Sequence, residues 1–560
     1  MLRRFSGRVR ALVVLASVAA LGASAASPAG LAVAGTHAAQ QAVTVASATP
    51  IRHLVVIFQE NVSFDHYFAT YPNATNPPGE PPFRAAPDTP TVNGLTAALL
   101  TDNPNTVNPQ RLDRSQAITC DQNHGYTAEQ SAFDNGLMDS FVQSTGATYG
   151  SCDPSQVMDY YDGNTVTALW NYAQHFAMSD NSYGTTFGPS SPGAVNVTAG
   201  NTYGAICGPS SAVYNASTCS GASATNLPAA GPQSAQPQGA GTMYSDADPY
   251  YDVCSYSEDR KAASSTIEMG GQNIGDLLTA HHVTWGWFQG GFASPGYVAG
   301  QPSSDDLANV CTGTTTNVGG AVVKDYIPHH EPFQYYVSTA NPAHLPPTSI
   351  AAVGHDDQAN HQYDLRDFWA AADSGNLPAV SYLKAPAAQD GHAGYSDPLD
   401  EQTFLVDTIN RLEALPTWSS TAVVINWDDS DGWYDHQMGP IVDQSQTSLD
   451  TLSGTGACGT NPAKVHEGQQ ARCGVGPRIP LLVISPYSRT NFVDGTFTTQ
   501  TSVVSFIESN WLGGRRIPGG SADAWTGSLG NMLDLAKPTA APLFLDPSTG
   551  EPTSRGQSNP

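Results

Sequence analysis

The sequence predicts an α/β protein: a mainly parallel central sheet flanked by helices, with long loop insertions. Two observations predict it. Short continuous apolar runs, Leu54-Val55-Val56-Ile57-Phe58, Ala422-Val423-Val424-Ile425 and Leu481-Leu482-Val483-Ile484, are each bounded by polar or turn residues. Runs of that kind fit strands covered on both faces. Between them lie stretches with helical spacing, such as Thr403 to Leu415, apolar at Phe404, Leu405, Ile409 and Leu412. Strands alternating with helices make a layered α/β domain.

From the N-terminus, Arg3, Arg4, Arg8 and Arg10 precede an apolar run from Ala11 to about Leu21 that closes in Ala23-Ser24-Ala25. That order reads as a signal peptide over residues 1–25. Its apolar run falls short of the roughly 20 residues a spanning helix needs, so no stable membrane anchor is expected. Arg3-Arg4-Phe5 leaves the general secretory and the twin-arginine routes both open. The mature chain is then expected outside the membrane it crosses, secreted or periplasmic. A flexible segment at 26–49 leads into a single domain at 50–535, and 536–560 reads as a tail, disordered after about Asp546. Residues 204–253, rich in Ala, Gly, Ser and Pro, read as a long loop insertion, as does the Pro- and Asn-rich stretch Pro72 to Asn108.

All eight cysteines follow the signal segment, and an even number in an exported chain predicts up to four disulfides. Cys458 with Cys473 and Cys207 with Cys219 are spaced as local loops. No cysteine stands in a CxxC or Cys/His zinc pattern. The formal charge of -27 argues against nucleic acid and anionic membranes as partners. An anionic substrate would need local compensation, which a bound metal ion and a few histidines supply. The oligomeric state is left open.

Reactive groups of an open parallel sheet gather at the carboxyl ends of its strands. The run ending at Phe58 leads into Gln59-Glu60-Asn61, and the run ending at Ile425 leads into Asn426-Trp427-Asp428-Asp429. Glu60, Asn61, Asp428 and Asp429 offer hard oxygen ligands for a metal ion. Asn61-Val62-Ser63 also matches the N-glycosylation triplet, a reading that belongs to surface loops. Phe187-Gly188-Pro189-Ser190-Ser191-Pro192-Gly193 sets Ser190 in a turn bounded by Gly and Pro, able to present a hydroxyl. A serine hydroxyl needs a base or a metal to react. The absence of a Gly-x-Ser-x-Gly elbow weakens a Ser-His-Asp esterase reading.

These residues resemble a family, the bacterial phosphoesterases that include phosphatidylcholine-type phospholipases C and exported acid phosphatases. The resemblance runs from His53 to about Trp511. Glu60-Asn61-x-Ser63-Phe64-Asp65-His66-Tyr67-Phe68 looks like the family's opening signature, and Asn135 to Phe141 like the segment after its first active-site histidine, which puts that role on His124. Gly188-Pro189-Ser190 matches the nucleophile turn. His330-Glu331-Pro332-Phe333 and Asp390-Gly391-His392 resemble the later histidine elements, the second following the strand-like Ala379-Val380-Ser381-Tyr382. Asp428 to His436 resembles an Asp-Glu-x-Gly-Gly-Phe-x-Asp-His motif, followed by the strand-like Arg478 to Ser488. Asp429 stands where many members have Glu, and Asp431 where they have Gly.

The resemblance implies an alkaline-phosphatase-like core. It implies one divalent metal ion (calcium, magnesium, manganese, iron or zinc) held by Glu60, Asn61, Ser190, Asp428 and Asp429. His124, His330 and His392 would surround the phosphoryl group. A metal-activated Ser190 would attack phosphorus to give a phosphoserine, and histidines protonated in mildly acidic solution would favour an acid-to-neutral optimum. The expected activity is a broad acid phosphatase acting on small phosphate esters, with a phospholipase C acting on phospholipid headgroups as the alternative. Trp285, Trp287, Phe288, Tyr335 and Tyr336 are weighed as a choline cage against ordinary packing. A secreted binding protein that keeps the metal for stability alone is a third, lesser reading.

Overall fold

A computed structural model describes residues 46–227, 238–256, 263–452, 457–459 and 469–554. The expected signal peptide lies outside the described residues. In chain order the strands that matter here are β1 (His53–Gln59), β2 (Ala177–Ser179), β3 (Tyr203–Cys207), β4 (Val213–Tyr214), β5 (Gly241–Met243), β6 (Glu268–Met269) and β7 (Trp285–Gln289). They continue with β8 (Thr314–Thr316), β9 (Val322–Lys324), β10 (Gln362–Asp364), β11 (Val380–Lys384), β12 (Thr421–Trp427), β13 (Leu481–Ile484) and β14 (Phe492–Asp494). The principal helices are α1 (Tyr126–Phe133), α2 (Thr167–His175), α3 (Ser190–Ala199), α4 (Ile274–Ala280), α5 (Leu365–Asp373), α6 (Pro398–Glu413) and α7 (Ser502–Trp511).

Eight strands form the central sheet in the order β10-β7-β11-β1-β12-β13-β2-β14. Seven run the same way. β13 is the exception, antiparallel to both β12 and β2. β1 occupies the middle, pairing in parallel with β11 (Leu54 opposite Val380) and with β12 (Val55 opposite Val423). Its alternate residues serve two cores. Val55 and Ile57 pack with α2, α5 and α6 through residues such as Trp170, Phe368, Leu405 and Ile409. Leu54, Val56 and Phe58 pack on the opposite face with α3, α4 and α7 through Val197, Leu277, Val503 and Ile507. A strand wet on neither face has no polar positions, which is why the apolar runs are unbroken.

The predicted helix at Thr403 to Leu415 is the body of α6, which starts five residues earlier. Asp397 caps it, accepting hydrogen bonds from the amides of Leu399 and Asp400, and Pro398 takes the first helical position. The first turn carries no apolar stripe because the cap starts it.

Two sequence expectations need correction. Residues 204–253 are not simply a loop, since β4, β5 and most of β3 lie in that stretch and join β6, at Glu268–Met269, in a four-stranded sheet. The Cys207–Cys219 disulfide and a small core of Ala205, Val213, Met243 and Ile267 hold it. The segment after Asp546 is ordered as far as 554. Gly550 accepts a hydrogen bond from Asn171 of α2 at 2.8 Å, and Leu545 bridges Pro552. All eight cysteines are paired, as Cys120–Cys152, Cys207–Cys219, Cys254–Cys311 and Cys458–Cys473. Among the described residues no helix is long and apolar enough to cross a membrane.

Candidate functional site

The carboxyl ends of β1, β11 and β12 lie side by side, and three loops leave them for one place. Glu60 follows β1 directly, its amide bonded to the Asp390 carbonyl at 2.9 Å beyond β11. Asn61 takes a left-handed backbone with φ 59°, which asparagine tolerates. Its amide donates to Asp428 Oδ1 at 2.8 Å, beyond β12. Val62 N donates to the Asp429 carbonyl at 3.0 Å, so the β1 and β12 loops are stitched together.

Ser190 is the first residue of α3. Glycine at 193 lets that helix lie almost on the β12 loop: a Cβ there would come 2.2 Å from the Asp428 carbonyl oxygen. The result puts Ser190 Oγ 3.0 Å from Glu60 Oε2, 3.3 Å from Asp429 Oδ2 and 3.4 Å from Asn61 Oδ1. All of these side chains are buried. None of the partners of Ser190 Oγ among the described residues is a histidine, so the arrangement is not a Ser-His-Asp triad. Asn61 is 1% exposed, which rules the glycosylation reading out of this fold.

Three carboxylates crowd this point, and their protonation reflects it. Burial first, then the Asp428 charge, push Glu60 well above the usual carboxylate range. Asp429 is raised by the same two causes in the same order. Asp428 Oδ2 is buried and accepts no hydrogen bond. An orphaned carboxylate oxygen beside two more carboxylates, an amide carbonyl and a hydroxyl fits a hard divalent cation. Of the five expected ligands, all lie in this cluster.

The histidines flank it. His330 Nδ1 is 3.3 Å from Glu60 Oε1 and 3.7 Å from Asp390 Oδ2. His124 Nδ1 is 3.2 Å from Asp431 Oδ1, and its Nε2 lies 3.4 Å from Asn61 Nδ2. The rings of His124 and His392 meet edge to face at 5.9 Å. Ligand-type atoms of Asp121, His124, His392 and Asp431 fall within 4.8 Å of one another. Their surroundings push the three imidazoles in different directions. Burial holds His392 down to about 4, and burial with the neighbouring His329 and Lys384 holds His330 well below its ordinary value. Burial opposes protonation of His124 too, but Asp429, Asp431 and Asp121 outweigh it and raise that ring. Of the three, His124 is the ring whose surroundings favour the cationic form.

Several contributors escaped sequence reasoning. Lys384, the last residue of β11, is fully buried with its ammonium against Glu60 Oε1. It is one of five lysines in the chain, and a cation closing a buried apolar strand was its only signal. Asp431, noted for replacing a glycine, accepts from Asn61 Nδ2 at 3.1 Å and pairs with His124. Glu129 of α1 joins the two halves of the site: Oε2 accepts from Gly188 N at 2.8 Å and Oε1 from Ser430 Oγ at 2.9 Å. The remaining motif residues are structural. Buried Arg478 reaches Asp65 and Asp435, and His436 Nδ1 lies 2.6 Å from Asp65 Oδ2. The five aromatic residues weighed as a choline cage are buried, and Trp285 and Tyr336 also line a cavity. Trp287 packs on Phe58, Phe333 and Tyr382, and Trp285, Phe288 and Tyr335 are fully buried.

A family model, the phosphoesterase family, matches residues 51–512. A non-hemolytic phospholipase C of Burkholderia pseudomallei is 23% identical over 527 residues, 90% of this chain and 62% of that protein. A non-hemolytic phospholipase C of Pseudomonas aeruginosa is 30% identical over 185 residues, 32% of this chain and 26% of that protein. Phospholipase C A of Mycobacterium tuberculosis is 24% identical over 194 residues, 33% of this chain and 34% of that one. The chain thus spans less than two thirds of the length of each of these relatives.

Proposed function

Starting from the premise that this chain belongs to the phosphoesterase family, we propose that it hydrolyses phosphate esters with Ser190 as nucleophile. The preferred substrates are phospholipid diesters, cleaved in the manner of a phospholipase C. The observation that carries the chemistry is Ser190 Oγ within 3.0 to 3.4 Å of Glu60, Asp429 and Asn61, beside the unpartnered oxygen of Asp428. The phospholipase C names of its relatives support a diester substrate over the broad acid phosphatase expected from sequence. Four disulfides fit an oxidising compartment outside the cytoplasm.

Glu60, Asn61, Ser190, Asp428 and Asp429 are the residues that would hold a divalent cation. When bound, such an ion makes the serine hydroxyl more acidic and offsets charge on the phosphoryl oxygens. The protein's own groups do the rest. The Ser190 hydroxyl lies within hydrogen-bond reach of Glu60 Oε2 and Asp429 Oδ2, either of which can take its one proton as Oγ bonds to phosphorus. The bond from phosphorus to the glycerol oxygen breaks in line. His124, the ring whose neighbours favour its protonated form, gives its proton to that oxygen. His330 and His392, both neutral, border the phosphoryl group; the one N–H of His392 donates from Nδ1 to the Ala393 carbonyl at 2.6 Å, which leaves its Nε2 to accept a hydrogen bond. Water then cleaves the bond between Ser190 and phosphorus and restores the hydroxyl.

The test is hydrolysis of p-nitrophenyl phosphorylcholine and p-nitrophenyl phosphate by the purified protein, before and after EDTA. A preferred choline diester, lost with EDTA and regained with a divalent ion, is expected. Preference for the monoester would return the reading to an acid phosphatase, and activity indifferent to EDTA would overturn the metal-serine chemistry.

A further inference from the structure

The loop system around His124 and His392 carries exposed aliphatic side chains that no core requires. β8 and β9 form a two-stranded hairpin apart from the main sheet, and its tip, Asn317 to Ala321, leans on the site. Asn317 closes the tip on itself, accepting from Ala321 N at 2.8 Å, and its side chain donates to the Tyr395 carbonyl at 2.9 Å. Tyr395 in turn stacks on His392 at 4.3 Å. Gly319 rests on Ile118, where a Cβ would come 3.0 Å from Cγ1. Thr119 then binds Gly394 N, and Asp121 carries the Tyr149 hydroxyl on its carbonyl at 2.9 Å.

Along this line Val318 is 57% exposed, Val322 71%, Ile118 45% and Tyr149 55%. Single exposed apolar residues are ordinary on a protein surface, but four at the rim of one site are not. The charges decide the partner. A chain of net charge -27 is repelled by an anionic surface. At the rim itself stand Asp121, its side chain 42% exposed, and Asp400, which accepts from Val318 N. Carboxylates beside an exposed tyrosine ring suit a quaternary ammonium headgroup. Lys324 is the only charged residue of the hairpin and lies at its far end from the tip.

We propose that Val318, Val322, Ile118 and Tyr149 form a docking rim that seats the mouth of the site on a zwitterionic, choline-bearing lipid surface. This rests on the phospholipase C reading. Apolar side chains enter the interface while the acidic rim meets the ammonium groups, and a phosphodiester is presented to Ser190 without leaving the bilayer.

The experiment compares the full protein with a Val318→Gln, Val322→Gln double variant. Binding is read by cosedimentation with phosphatidylcholine vesicles and with vesicles containing phosphatidylserine, and kcat/KM on soluble p-nitrophenyl phosphorylcholine. The variant should bind phosphatidylcholine vesicles about tenfold more weakly, a loss in keeping with two aliphatic side chains withdrawn from an interface. The soluble ester should be cleaved within about twofold of the parent rate, and phosphatidylserine should weaken binding of the parent protein. Unaltered vesicle binding in the variant, or none by the parent protein, overturns the docking rim. If neither protein cleaves the soluble ester, the phospholipase C reading fails, and the cosedimentation result still decides the rim.

Discussion

Replacing Glu129 by alanine should cripple the site without touching any residue placed against substrate or metal. Its carboxylate is the one side chain that binds both the Gly188 amide, two residues before Ser190, and the Ser430 hydroxyl, one residue after Asp429. Glu129 is 1% exposed, so alanine leaves the buried Gly188 N–H without a partner and the buried Ser430 hydroxyl, which still accepts from Gly432 N, without an acceptor for its own hydrogen. Each such orphan costs about 1–3 kcal/mol, or roughly 2–6 kcal/mol together. The larger effect is on geometry. The turn carrying Ser190 and the loop carrying Asp429 lose their cross-link, and a shift near 1 Å between reacting groups costs about a hundredfold in rate. Burial pushes Glu129 up to about 8, so near pH 6 it is a neutral acid that glutamine imitates. Steady-state kinetics on p-nitrophenyl phosphorylcholine, beside thermal unfolding, should show Glu129→Ala down about a hundredfold in kcat with a lowered Tm. Glu129→Gln should stay within about tenfold of the parent, one hydrogen bond's worth of barrier. An alanine variant with full activity would refute the reasoning.

Gly193→Ala should be as damaging as an active-site substitution, because its Cβ would fall 2.2 Å from the Asp428 carbonyl oxygen and drive α3 off the β12 loop. Kinetics would check it, and a variant with parental kcat would show that the helix can yield. Lys384→Met removes the ammonium from buried Glu60 and should lower stability by roughly 3–5 kcal/mol, as for one partner of a buried pair. Denaturant titration would measure this, and an unchanged midpoint would deny Lys384 its role. Stability should also fall with rising pH. Burial pushes Glu401 and Glu413 up to about 8 and Asp367 to about 7, so the native state holds protons that the unfolded chain has released. Their contribution is fully present below the ordinary carboxylate pKa and is lost as pH passes through about 7 to 8. A Tm higher at pH 9 than at pH 5.5 would contradict that sign.

The fold was legible where burial leaves a periodic mark. β1, β12 and β13 are wet on neither face, and their apolar runs stand out from their surroundings. Burial does not encode direction, so nothing in Leu481 to Ile484 told that β13 runs against its neighbours. β3 to β6 escaped notice because strands of two to five residues, held in part by a disulfide, are too short to show an alternating pattern. The segment after Asp546 is held largely through backbone carbonyls, which carry no residue signature. For the site, strand ends and a Gly-Pro turn drew attention to Glu60, Asn61, Asp428, Asp429 and Ser190, and the resemblance to the phosphoesterases supplied their expected roles; the fold brings the five together because parallel strands gather their carboxyl ends. Lys384 and Glu129 could not be found that way. Their roles come from partners 324 and 59 residues distant, and only the packed chain brings those together. The sequence left Trp285 and Trp287 open between a choline cage and ordinary packing, because an inward-facing tryptophan on a strand looks the same in sequence in either setting.

The central claim is that phosphorus passes through Ser190. The direct measurement is acid quenching of the enzyme during turnover of p-nitrophenyl phosphorylcholine, followed by peptide mass spectrometry, beside kcat/KM of Ser190→Ala on the same ester. A phosphorylcholine adduct on the peptide bearing Ser190, with at least about a thousandfold loss in the alanine variant, is the expected result. An adduct on another residue, or a Ser190→Ala protein that keeps its activity, would contradict it.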